Sequence, residues 1–120
     1  MANQTKSLVA NITATATWTQ LKDESTGSVY TVPSTGRADV KSFIVNNLGA
    51  NSVTIEFAIS PDNTPTDEER SLPGCVLAAQ YEHAEYDGVI VIIADKGLWV
   101  KCTGTSPNVS VRAAIYEVVP

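Results

Sequence analysis

The chain has 120 residues and a mass of 12.8 kDa, with 43% hydrophobic and 18% charged residues, which fits one compact domain able to bury its own core. Valine (14), isoleucine (8) and threonine (13) outweigh six leucines and one methionine, a balance that favours pleated strands over helices. Eight Lys and Arg against 13 Asp and Glu give a net charge of −5, which argues against partners such as nucleic acid or an anionic membrane.

Residues 1–11 are polar, lack strand periodicity and hold an apolar stretch of only Leu8-Val9-Ala10, too short for an export signal. The expectation is an N-terminal arm over 1–11, either one that orders on a partner, with Gln4, Lys6 and Leu8 as candidate contacts, or a frayed terminus, followed by a β-sandwich domain over 12–120. Residues 12–21 alternate Thr13, Thr15, Thr17 and Thr19 against Ile12, Ala14, Ala16 and Trp18, the period of a strand. A polar turn ending in Gly27 leads to a short strand over 28–32, stopped by Pro33. Residues 38–46 read as a third strand, partly covered on both faces at Phe43-Ile44-Val45. The fourth is the clearest, with Val53, Ile55, Phe57 and Ile59 alternating against polar or small residues.

Residues 60–74 carry three of the six prolines and four of the 13 acids, and read as a long surface loop. Within it Thr66 and Glu69 have the spacing of a reciprocal capping box over a single helical turn. A fifth strand is expected over 75–82 and a sixth over 89–94, flanking a polar connection at 83–88. Asp95-Lys96-Gly97 reads as a hairpin turn into a strand over 98–103, and 108–118 closes the domain. The fold class that follows is all-β, a single-domain antiparallel β-sandwich, jelly-roll-like, of about eight strands.

Catalytic parts are sparse. His83 is the only histidine; beside Glu82, Glu85 and Asp87 it could join a weak metal site or shuttle a proton, but a solvated histidine is the favoured reading. There is no HExxH, CxxC, G-x-S-x-G or phosphate-binding glycine loop. Asp67, Glu68 and Glu69 invite a carboxylate-pair reading, and Asp62, Asn63, Asp67 and Glu68 a calcium site, but the spacing fits neither a glycosidase cleft nor an EF-hand. Cys75 and Cys102 are expected to be free thiols. The expectation is therefore no enzyme, no metal and no cofactor. Trp18, Trp99, Asp67 and Glu68 complete the candidate interface residues, as aromatic anchors, for which core packing is the favoured reading, and as an acidic loop whose alternative is simple solvation.

One stretch is familiar. Tyr30-Thr31-Val32-Pro33, the Gly36 turn, the strand through Phe43-Ile44-Val45 to Asn46-Asn47, the strand Val53-Thr54-Ile55-Glu56-Phe57-Ala58-Ile59 and the closing Asn108-Val109-Ser110-Val111-Arg112-Ala113-Ala114-Ile115-Tyr116 resemble small structural proteins of tailed bacteriophages. The resemblance implies a β-sandwich that works by assembly, carrying no catalytic residues. It points first to a capsid decoration (cement) protein, a homotrimer on the major capsid protein at the virion surface, made in the host cytoplasm. The alternative is a tail, neck or fibre component that recognises a receptor or glycan.

Overall fold

The computed structural model describes residues 3–70 and 72–120. Among them are nine strands and no helix: β1 (Gln4–Ile12), β2 (Thr17–Gln20), β3 (Lys22–Asp23), β4 (Arg37–Asn47), β5 (Val53–Ser60), β6 (Cys75–Leu77), β7 (His83–Ile93), β8 (Gly97–Thr103) and β9 (Val109–Val118). They form a five-stranded sheet in the order β3-β1-β9-β4-β7 and a four-stranded sheet in the order β2-β8-β5-β6. Apart from the two-residue β3, the pairing nests: β1 with β9, β2 with β8, β4 with β7 and β5 with β6, all antiparallel. A ribbon of nested antiparallel pairs rolled into two facing sheets is a jelly roll, so the all-β sandwich expected from composition is the fold observed.

The core lies between the sheets. Leu8, Val40, Phe43, Val45, Val111 and Ile115 point inward from one, and Val53, Ile55, Phe57, Leu98 and Val100 from the other. Phe57 meets Phe43 edge-on at 4.8 Å between centroids, and Phe43 stacks on Tyr86 at 4.4 Å. These are offset and edge geometries that aromatic quadrupoles favour.

Several elements depart from the sequence reading. Residues 4–12 are not a free arm: β1 sits inside the five-stranded sheet, with Leu8 fully buried. Their periodicity is present but masked, because Lys6 takes an inward position and is neutralised there by Asp23. The threonine row is broken at Ala16, whose φ of 57° turns the chain, so Thr13 and Thr15 belong to the bend before β2. Residues 28–32 contribute one bridge, Lys22 to Val29, rather than a strand. The strand expected over 75–82 stops at Leu77, and the polar stretch 83–88 is the first half of β7. Asp95-Lys96-Gly97 is a tight turn, with Asp95 at φ 66°, but it carries the chain from one sheet to the other instead of closing a hairpin.

Cys75 and Cys102 both face Ile55, one from β6 and one from β8. Two strand spacings separate their backbones by about 9–10 Å, beyond the roughly 7 Å a disulfide spans. Both are free thiols, and burial, with a smaller push from Cys75, raises Cys102 to about 12.

Candidate interaction surface

Four strands edge the sandwich, β3, β7, β2 and β6, with lengths of two, 11, four and three residues. Only β7 presents a long run of backbone. It pairs with β4 through Asn46–His83 at one end and Arg37–Ile93 at the other, with a register shift between Val40 and Ser42. The alternation of a strand sends His83, Glu85 and Asp87 to the outer face, all exposed, while Ala84 and Tyr86 pack against the core. At the far end Val91 and Ile93 are 44% and 55% exposed. Val91 lies in a row with Asp39 and Tyr116, and Ile93 in a row with Arg37 and Val118, so an apolar strip crosses three strands around the Arg37–Asp39 ion pair at 3.2 Å.

The acidic loop borders that end of β7. Glu69 ties the loop to the sandwich through both backbone and side chain: its carbonyl accepts from Ile59 N at 3.0 Å, extending the edge of β5, and its carboxylate accepts from Lys96 Nζ at 3.0 Å. The capping box expected from sequence is formed, with Thr66 N donating to Glu69 Oε1 at 2.9 Å and Glu69 N donating to Thr66 Oγ1 at 3.4 Å. These contacts hold the Glu69 carboxyl below the usual range, the Thr66 backbone bond contributing most and Lys96 next. Between loop and strand runs a groove of about 310 Å³, lined by Ile59, Glu68, Glu69, Val91, Ile93 and Lys96. Thr66→Ala removes half the box and is expected to cost about 1 kcal/mol or less, read as faster amide exchange confined to residues 61–73.

The candidate contact residues do not converge. Gln4 Nε2 donates to Glu117 Oε1 at 3.0 Å, and Lys6 Nζ meets Asp23 Oδ2 at 2.9 Å. Leu8 is core. Trp99 is 9% exposed and donates its indole N–H to the Ser60 carbonyl at 2.9 Å. As interface candidates Leu8 and Trp99 are therefore corrected, since a buried side chain cannot anchor a partner, and Trp99 takes the core packing favoured for it. Trp18 is half-buried under the Lys101 ammonium, 5.1 Å from the ring centroid. Asp67 is exposed and paired with Arg70 at 2.7 Å, and Glu68 lines the groove beside β7. The residues missed by sequence are those of β7 itself; their signal was the alternation of His83, Glu85 and Asp87 with Ala84 and Tyr86.

The chemistry-bearing residues also stay apart. His83 faces out from β7, whereas Tyr86, which lies beside Cys75, faces in; burial, then the bond to Cys75, raises the Tyr86 hydroxyl. Asp62 is occupied in its own turn, accepting from Thr64 N at 3.0 Å and Thr64 Oγ1 at 2.9 Å. Among the described residues no group of three His, Cys, Asp or Glu converges as a metal set. The larger concavity, about 460 Å³ beside Val9 and Lys22, contains Arg112, but that guanidinium is already held by Glu24 through bonds of 2.6 and 2.9 Å.

Fold and surface together define a single jelly-roll domain with one long open strand edge. The sequence matches no protein-family profile and no curated protein. Solved structures share the fold. A chain in the acidic stable capsid structure of Helicobacter pylori bacteriophage KHP30 superposes with a TM-score of 0.58 at 10% identity, covering 99% of this chain and 100% of that one. A subunit of the Bacillus endospore appendages, described as disulfide-linked pili, gives 0.51 at 16% identity over 98% and 88%. The virus-like particle of the Macrobrachium rosenbergii extra small virus gives 0.50 at 11% identity over 98% and 79%. At such identities the likeness is one of fold.

Proposed function

We propose that the protein is a non-enzymatic structural subunit of a phage virion, a decoration protein that sits on the outer capsid surface as a homotrimer and binds the major capsid protein. The observation that carries this reading is the end-to-end correspondence with a chain of a phage capsid structure, which spans 99% of this jelly roll and the whole of that chain. The chemistry agrees with a role in assembly. The lone histidine faces solvent from β7, and Cys102 is a buried thiol whose ionisation is pushed up by burial, the environment of an inert cysteine. In a closed trimer the same patch recurs on every copy, and one bound subunit holds the other two at high effective concentration. Each added contact then resists expansion of the shell without a chemical step.

Gold-labelled antibody against residues 61–73 is expected to decorate the capsid faces of whole virions, and light scattering of the purified protein to give three times the monomer mass. Label confined to the tail, or a monomer at high concentration that fails to bind emptied capsids, overturns the decoration reading in favour of a tail component.

A further inference from the structure

We propose that the free edge of β7 is a strand-addition site for an extended, basic segment of a partner protein. An edge strand offers alternate backbone N–H and C=O groups that only another extended chain can satisfy, and natural proteins usually shorten or block such edges. Here three of the four edge strands are two to four residues long, and β7 has 11. The facing β6 is too short to shield it.

The distribution of charge selects the occupant. Of the 13 acids, six are in ion pairs: Asp23, Glu24, Asp39, Glu56, Asp67 and Glu69. Among the described residues the other seven have no cationic partner, and three of them, Glu82, Glu85 and Asp87, fall on or beside the first half of β7. A fourth, Glu68, lines the groove at the other end of the strand, next to Val91 and Ile93. The unneutralised charge of the molecule is thus concentrated along its one long edge. A second copy, also at −5, is disfavoured there by like charge, whereas an incoming strand with Lys or Arg at alternate positions sets its cations against Glu85 and Asp87, about 7 Å apart along the strand. Where the same strand passes Val91 and Ile93, aliphatic side chains fit. The site follows from the edge and its charge, and it stands whether or not the protein belongs to a capsid.

The probe is a ten-residue peptide alternating lysine and valine, capped at both ends, titrated at physiological salt while β7 amide exchange is followed by NMR. Binding is expected to slow exchange of the outward β7 amides by about tenfold. An analogue N-methylated at every residue, which keeps the charge and loses the donors on both edges, is expected not to bind. The variant Glu85→Lys with Asp87→Lys, both at exposed positions and checked for unchanged melting, is expected to weaken binding about tenfold. Equal binding of the N-methylated peptide reduces the effect to surface charge and overturns strand addition. Equal binding of a glutamate–valine peptide overturns the basic partner, and no protection of β7 overturns the site. A dimer of the protein alone with β7 amides already protected assigns the edge to a second copy and overturns the proposal.

Discussion

Replacing Asn47 with alanine is expected to lower the unfolding free energy by about 3 kcal/mol, more than any other single polar side chain outside the Lys6 pair. Asn47 ends β4 and is fully buried. Its Nδ2 donates to the carbonyls of Asn51 and Ala78, each at 2.9 Å, with a longer contact to Leu77 at 3.4 Å, and its Oδ1 accepts from Gly49 N at 2.9 Å. Its backbone closes the same knot, donating to the Glu82 carbonyl at 3.0 Å and accepting from Tyr81 N at 2.6 Å. One side chain therefore fastens the β4–β5 turn to the β6–β7 turn, where Gln80 and Tyr81 both hold positive φ, at 41° and 69°. Neither residue prefers that region, so the turn depends on the clamp. Alanine removes the shared donor from the part-buried Asn51 and Ala78 carbonyls and from the buried Leu77 carbonyl, and the acceptor from Gly49 N. Aspartate keeps the shape and the acceptor for Gly49 but sets a carboxylate against those carbonyls, so Asn47→Asp is expected to cost at least as much at neutral pH. Asn51→Ala, which loses only an exposed bond to the Thr105 carbonyl, is expected to cost less than about 1 kcal/mol. Urea unfolding of the three variants checks the order, and amide exchange should locate the loosening at the start of β7.

The strands with one apolar and one wet face were legible in the sequence. β5 runs Val53–Ser60, as its alternation required, β4 extends the expected span by one residue at each end, and β9 begins one residue later than expected. What stayed hidden depended on contacts distant along the chain. β1 reads as polar because Lys6 occupies an inward position whose partner, Asp23, lies 17 residues away on a strand of two residues. β7 reads as a polar connection followed by an apolar strand because its outward residues are acids at one end and aliphatic at the other. Local propensity does not predict that one pleated strand carries both. The break in the threonine row was illegible for a different reason: alanine gives no sign that it will adopt the left-handed φ of Ala16, which a bond from its own N–H to the Cys102 carbonyl at 2.7 Å holds in place. The candidate surface inherits these misses, since it consists of the strand edge that the polar reading of 83–88 concealed.

Lys6→Met is expected to destabilise the protein by about 2–3 kcal/mol at neutral pH, with a penalty that shrinks in acid. Lys6 joins a polar cluster where both ends of the fold meet: its ammonium pairs with Asp23, while Tyr30 Oη donates to Glu117 Oε2 at 2.5 Å and Gln4 donates to the other Glu117 oxygen. Burial, then the bond to Glu117, pushes the Tyr30 hydroxyl far up, so it remains a donor. Asp23 is held at about 2 against the ordinary 3.8, first by the hydrogen bond from Lys6 and then by Ser25, whose N and Oγ donate to Oδ1. Because that carboxyl binds its proton more weakly folded than unfolded, its contribution is complete above about pH 4 and is lost as pH falls toward 2; allowing for solvent screening it amounts to on the order of 1–2 kcal/mol. Methionine keeps the aliphatic stem and removes the charge, leaving Asp23 5% exposed without its cation. At neutral pH this strands a carboxylate, whereas in acid that carboxyl, without the Lys6 bond that held it down, protonates more readily than in the parent and the strain is relieved. Adding Asp23→Asn to Lys6→Met, which preserves the Ser25 turn without the charge, is expected to recover most of the loss at pH 7 and to flatten the acid limb of the stability profile. Unfolding free energies of the two variants and the parent at pH 7 and pH 3 decide the point: a loss for Lys6→Met that is equal at both values would assign the effect to packing of the stem and not to the buried pair.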